Sequence, residues 1–191
     1  MGRRILQKME GFQKFKRSNL IFFIKLFTIL IFLFTGLQFF QKKGYIINIS
    51  KSLPLGIYKT YEIKEELKIG DIVVFIPNKK NKEFMIERGY LKEKDLAKTL
   101  MKKIAGIEKD VFTVEKSELF GLVLKKNNKE ELGSVSSQDR RFRNLPYINY
   151  LKLKKDEYFL IGESIFSYDS RYFGAVKREE ILYKAKPIFV F

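Results

Sequence analysis

Three stretches of the chain carry residue types and spacings that could do chemistry. In the first, Ser50 and Ser52 stand two apart, just ahead of Pro54 and Gly56. In an extended chain, residues two apart share a face. Pro54 fixes its own φ and drives Leu53 toward extended geometry, so a serine here has a set direction of approach. That suits a nucleophile. It also suits a polar turn leaving the apolar segment that ends nearby. In the second stretch, Lys102 and Lys103 sit among Leu100, Met101, Ile104 and Ala105. A lysine serves as general base only when unprotonated, so its pKa must fall from about 10.4 by roughly two to three units. Burial among apolar groups has that effect. Most other lysines lie in polar text and fail this requirement. The alternative is an edge-strand lysine pair that limits aggregation. In the third stretch, Asp169 and Arg171 lie two apart among Tyr168, Tyr172 and Phe173. They suit a partly buried ion pair, either bracing a reactive site or clamping a loop.

Composition narrows the chemistry. The 191-residue chain contains no His and no Cys. This excludes Ser-His-Asp and Cys-His nucleophile systems, His- or Cys-liganded zinc, disulfides and thiol redox chemistry. Hydrolysis is left to Ser, Thr or Lys chemistry, paired carboxylates or an oxygen-ligated metal. No acid stands in a special context and there is no Gly-rich phosphate loop. No metal or cofactor is expected. Of the formal charge of +16, the first nineteen residues supply +5, where Arg3, Arg4, Lys8, Lys14, Lys16 and Arg17 face only Glu10. Elsewhere Lys and Glu alternate, as in Lys64-Glu65-Glu66, which is the pattern of a solvated surface more than of a nucleic-acid stripe.

The elements that must position these residues follow from hydrophobic pattern. Residues 1–19 read as a basic, poorly ordered tail. Residues 20–40 form the only membrane-length apolar run. As a helix, the run is about 31 Å long, matching a bilayer core of about 30 Å. Lys25 lies near its start, where its amine can snorkel to the headgroups. The basic flank places the N-terminus in the cytoplasm and the rest outside. No small-residue cleavage site follows, so the run reads as an uncleaved single-pass anchor in the cytoplasmic (inner) membrane. From residue 45 the text is mainly β. Strands are expected at 57–63, 72–76, 102–107, 111–114, 119–124 and 158–161. A last strand at 181–191 is broken by Pro187. Residues 82–99 are the best helix candidate, with Gly89 as a possible break. Residues 125–144 read as a polar loop. The result is one mainly antiparallel β domain, 45–191, with a helical insertion near 82–100, preceded by a single transmembrane helix.

Taken in order after one anchor, these stretches resemble the type I signal peptidases, and within them the conjugative-transfer, TraF-type branch. The likeness covers residues 47 to 191. Asn48-x-Ser50-x-Ser52-x-Pro54-x-Gly56-x-Tyr58 resembles that branch's nucleophile box, and Gly70-Asp71-x-Val73-x-Phe75-x-Pro77 its next strand. Arg88-Gly89-Tyr90-Leu91 is similar to the start of its insertion, and Lys102-Lys103-Ile104-Ala105-Gly106 to its general-base box. Asp139 to Pro146 resembles its Asp…Arg-x-Leu-Pro stretch. Tyr158-Phe159-Leu160-x-Gly162, leading to Asp169-Ser170-Arg171-Tyr172-Phe173-Gly174, resembles its closing signature. Two departures stand out: Glu108-Lys109-Asp110 replaces Pro-Gly-Asp after the lysine box, and Ala175-Val176 replaces Pro-Val.

The resemblance implies that Ser52 is the nucleophile and Lys102 its base. It also implies that Ser50 helps line the oxyanion hole with Ser52, and that Asp169 and Arg171 are a supporting pair. Strand alternation alone does not choose between Lys102 and Lys103, since both faces are apolar. The expected function is a membrane-anchored serine endopeptidase with a Ser-Lys dyad, acting on a pilin-type or secretory leader peptide at the outer (periplasmic or extracellular) face. Twelve residues separate Phe40 from Ser52, a reach of at most about 40 Å. The expected partners are the precursor protein and the lipid bilayer, with no nucleic acid. A catalytically silent subunit of a conjugation or secretion apparatus is the main rival. A basic membrane-surface or DNA-binding module is a third reading.

Overall fold

The computed structural model describes the backbone of residues 2–92, 99–119 and 121–191, and the side chains of 20–36, 38–92, 99–119 and 121–191. The chain divides into two units, Met1–Tyr45 and Ile46–Phe191. The first is one helix, α1 (Gly2–Lys42). The basic segment expected to be disordered is therefore helical, continuous with the apolar run that follows. Within α1, Leu20–Lys42 has a mean hydropathy of 2.5 and is long and apolar enough to cross a membrane.

The second unit is built on antiparallel β pairing. In chain order, its strands are β1 (Tyr45–Asn48), β2 (Gly56–Tyr61), β3 (Ile72–Phe75), β4 (Leu100–Gly106), β5 (Val111–Ser117), β6 (Gly121–Lys126), β7 (Glu130–Val135), β8 (Tyr150–Lys152), β9 (Glu157–Ile161), β10 (Val176–Lys177) and β11 (Ile181–Val190). Two short helices intervene, α2 (Lys79–Glu87) and α3 (Ser170–Phe173). A seven-stranded sheet runs β1-β2-β11-β3-β4-β9-β10, and a four-stranded sheet runs β7-β6-β5-β8.

Alternation along the central strands sorts side chains to the two faces. On one face Val73, Phe75, Ile104, Tyr158 and Leu160 join Leu67, Val176 and Ile181. On the other, Ala105 and Phe159 meet Phe112, Leu124 and Val135 of the smaller sheet. Phe112 and Phe159 stack at 3.8 Å between ring centres. β4 and β9 are largely covered on both sides, so most of their residues are apolar, with Lys103 the exposed exception on β4.

Three expectations are corrected. The helix is shorter and earlier than 82–99. Asn78 caps its start by accepting from the Asn81 N–H, and Gly89, at φ 70°, ends it in a left-handed turn open to glycine. Residues 93–98 of the expected helix lie outside the described residues. Residues 125–144 are not one loop but include the β6–β7 hairpin. Asn127 and Asn128 take φ values of 52° and 56°, a conformation asparagine tolerates and a hairpin needs. The last strand runs through Pro187 with a shift of register. Beyond Ala185, β11 pairs with β2 but no longer with β3, so an interior ladder is not broken by the missing N–H.

Candidate active site

The first stretch is a turn, not an extended segment, and it is folded around a side chain whose role the sequence did not disclose. Asn48 is buried. Its amide donates to the carbonyls of Ser50, Leu53 and Pro54 at 3.1, 3.1 and 3.0 Å. Its Oδ1 accepts from Ser50 N at 3.1 Å and Ser50 Oγ at 2.9 Å. An asparagine two residues before a serine is an Asx-turn signal, and it is visible in the text once looked for. Tyr58 Oη donates to Pro54 O at 2.8 Å, and Glu163 N donates to Ser52 O at 2.8 Å. Held this way, Ser50 Oγ and Ser52 Oγ lie 3.0 Å apart. A hydroxyl has one proton. Ser50 directs its proton to Asn48, so Ser52 donates to Ser50.

β4 carries Lys102 next to Val73 of β3, on the face of Leu100 and Ile104. Lys102 is 5% exposed. Its ammonium forms no hydrogen bond or ion pair among the described residues. Burial pushes its pKa down to about 8, against the raising pull of the Asp169 charge, while the Arg171 charge lowers it further. Lys103 points the other way, is exposed and lies 3.9 Å from Glu163. Alternation left the two lysines equivalent, and the packing separates them. Lys126 is the instructive contrast. It is also buried, but its Nζ meets Asp110 Oδ2 at 3.0 Å and Ala105 O at 3.1 Å. Lys126 is a braced structural ion, whereas Lys102 is a buried amine that meets no counter-ion among the described residues.

Ser52 and Lys102 line one cavity of about 480 Å³, with Ser50 and Ser167. Ser167 Oγ is fully enclosed and, alone among such side-chain atoms of the described residues, lacks a hydrogen-bond partner, whereas Lys102 lines the cavity. Leaving a buried hydroxyl unpaired costs about 1–3 kcal/mol, so one facing the cavity of Lys102 calls for a partner in the reacting state. Gly162 makes the close approach feasible. A Cβ there would lie 2.8 Å from Ser52 O and would overlap Ser167 Oγ.

Asp169 and Arg171 form a buried bidentate pair beneath this loop. Arg171 Nε donates to Asp169 Oδ1 and Nη2 to Oδ2, both at 2.8 Å. Asp169 Oδ2 also accepts from Gly162 N at 2.9 Å. Arg171 reaches Ser134 O at 3.1 Å and Ser164 O at 2.9 Å. One ion pair thus joins β7, the 162–167 loop and α3. Ser170 Oγ, fully buried, accepts from Leu160 N at 2.9 Å. Asp139 plays a similar part across the cavity, accepting from Tyr90 Oη at 2.9 Å and Arg143 Nε at 2.8 Å. Burial raises the pKa of its carboxyl, but the hydrogen bonds from Arg143, Tyr90 and the Arg141 backbone N–H outweigh this and hold it well below the usual carboxylate range.

On an antiparallel β scaffold, two convergent hydroxyls and a buried lysine that meets no counter-ion among the described residues open into one cavity, the residue types that a serine nucleophile with a lysine base requires. The chain belongs to the signal peptidase family, peptidase S26, which matches residues 17–190. Among related proteins, the conjugal transfer protein TraF of Agrobacterium fabrum strain C58 is 26% identical over 153 residues, covering 78% of this chain and 84% of the relative. The conjugal transfer protein TraF of Agrobacterium tumefaciens strain 15955 is 29% identical over 154 residues, with the same coverage. Among solved structures, a signal peptidase I from Enterococcus faecalis V583 aligns with a TM-score of 0.36 and 18% identity, covering 61% of this chain and 94% of that one.

Proposed function

We propose that the protein is a membrane-anchored serine endopeptidase that removes leader segments from pilin-type or secretory precursors of a conjugation or secretion system. The observation that carries this is Lys102, a buried lysine that pairs with no acid among the described residues and lines the same cavity as Ser52. Neutral Lys102 takes the proton from Ser52 Oγ as the oxygen attacks the scissile carbonyl. Lys102 then returns that proton to the leaving amine, and water repeats the cycle on the acyl-enzyme. The tetrahedral oxyanion is met by Ser52 N–H and by Ser50 Oγ. To reach it, the Ser50 hydroxyl turns away from Asn48 Oδ1, which keeps Ser50 N–H as a donor. Ser167 Oγ supplies Lys102 with a hydrogen-bond partner. Asp169 and Arg171 brace the loop and do not react. The names of the Agrobacterium relatives support the conjugative setting.

In this reading α1 anchors the chain with its basic N-terminus in the cytoplasm and the peptidase unit outside. The peptidase unit carries its own apolar edge near the nucleophile turn. Ile49 is 85% exposed and Phe191 72%, with Phe191 N bonded to Leu55 O at 3.0 Å. Such an edge suits the lipid boundary, where a translocated leader ends. A reporter active only in the cytoplasm, fused after Phe191, is expected to stay silent. A strong signal would reverse the topology.

The direct test of function uses the full chain in detergent micelles, incubated with pilin and secretory precursors from the same genome, with products read by mass. A leader removed after a small residue is the expected product. Intact precursors throughout, together with a Ser52→Ala protein that still supports transfer, would favour a catalytically silent subunit.

A further inference from the structure

The cavity is more basic than a Ser-Lys dyad requires. Among the described residues, its lining carries, besides Lys102, Lys51, Arg88, Arg140 and Arg141, and one acid, Asp139. That acid is already committed. Beyond Tyr90 and Arg143 Nε, its Oδ2 takes Arg143 Nη2 at 2.6 Å, and Arg88 lies 3.9 Å away. Its Oδ1 accepts the backbone N–H groups of Arg141 and Arg143 at 2.8 and 3.1 Å. The acid therefore holds the loop in place and is not available to the next two arginines.

Both of those arginines are exposed. Among the described residues, neither guanidinium forms an ion pair or hydrogen bond. Each is nevertheless held over the cavity. The Arg140 guanidinium stacks 4.8 Å from the centre of the Phe166 ring, and Phe166 is itself part of the lining. The Arg141 guanidinium lies across Gly89, where a Cβ would come within 3.4 Å of Nη1. A guanidinium presents a planar fork that matches a carboxylate. Unpaired positive charge in a cleft with low-dielectric walls focuses the field and selects anions.

We propose that Arg140 and Arg141 form an acid-selecting subsite of this cleft, so that the precursor processed here carries an Asp or Glu side chain within a few residues of the scissile bond. The proposal rests on the reading of the cavity as a peptide-cleaving site. A peptide carboxylate is favoured over a phospholipid headgroup because the arginines line the same cavity as Ser52 and Lys102.

The test uses the full chain in phosphatidylcholine vesicles and matched peptides with one small-residue cleavage site. Glu, Gln or Lys is placed in turn at each position on either side of that site. At one position at least, Glu is expected to raise kcat/KM over Gln by about tenfold at low salt. The ratio should approach one at about 1 M salt, where the Debye length is about 3 Å. Arg140→Gln with Arg141→Gln should flatten the ratio, and Arg140→Glu with Arg141→Glu should turn the preference toward Lys. Both positions are exposed, so the melting temperature should hold in each variant. The same peptides are also titrated against Ser52→Ala protein by fluorescence anisotropy. The Glu-to-Gln ratio of Kd then reads the subsite without turnover. Cleavage of no peptide, with discrimination intact in binding, would count against the peptidase reading alone. A wild-type ratio near one in either assay overturns the proposal. So does loss of attachment to phosphatidylglycerol vesicles in the arginine variants with the peptide ratio unchanged, which would assign the pair to lipid.

Discussion

Ser52→Ala and Lys102→Ala are each expected to abolish precursor cleavage, and the pH dependence of the wild-type protein should identify the base. Lys102 is pushed down to about 8 by burial, so kcat/KM should rise with pH through that value and then level. The chain has no His and no Cys, so no other side chain has an ordinary pKa between about 4.3 and about 10. The α-amino group titrates near 8 and can be blocked. Lys102→Arg should be as inactive as Lys102→Ala, because a guanidinium keeps its proton. Lys103→Ala should retain most activity, since that side chain points to solvent. Ser50→Ala should cost about a hundredfold, as for one oxyanion donor. A larger loss for Ser50→Ala than for Ser52→Ala would exchange their roles. Activity in both lysine variants would sink the Ser-Lys mechanism.

The same burial predicts a stability effect of definite sign. The unfolded chain holds the Lys102 proton up to its ordinary 10.5, and the folded chain releases it near 8. Between those values the unfolded state binds more protons, so stability rises with pH across the window, and the penalty is fully present below it. A shift of that size corresponds to about 3 kcal/mol. Lys102→Met should therefore be more stable than wild type at pH 7 by an amount of this order, with the gain shrinking toward pH 10. Thermal melts at both pH values check it.

Asp169→Asn and Arg171→Met should each lower both stability and turnover, and should move the pH profile in opposite directions. Breaking a buried pair leaves the other charge uncompensated and costs about 3–5 kcal/mol. For a unit of this size that is roughly a 10 °C fall in melting temperature. The Asp169 charge raises the Lys102 pKa and the Arg171 charge lowers it. Removing the acid should thus shift the rise in kcat/KM to lower pH, and removing the arginine to higher pH. A merely structural brace would change the amplitude and leave the midpoint in place. An Asp169→Asn protein with unchanged melting and unchanged rate would leave the pair without a role.

By itself the sequence determined the chemistry open to this protein and the order of its parts. Lack of His and Cys left lysine as the base for any serine nucleophile. A bilayer-length apolar run followed by alternating β text determined an antiparallel domain behind a helix. Those signals are local in composition and period, so they survive without tertiary context. Only the tertiary structure decided what depends on distant neighbours. Lys102 and Lys103 are equivalent in the text. They differ because β4 lies between β3 and β9, with Val73 beside one lysine and Glu163 near the other. Lys126 lies in polar text and is nevertheless buried, because Asp110 and the Ala105 carbonyl receive it. Asn48 and Ser167 gain their places only when the 48–54 turn and the closing loop meet at Gly162. Two arginines in a polar stretch become a cavity rim because Asp139 anchors their loop to Tyr90 and Arg143. Burial and pairing set these roles, and both are properties of contacts between segments far apart in the chain.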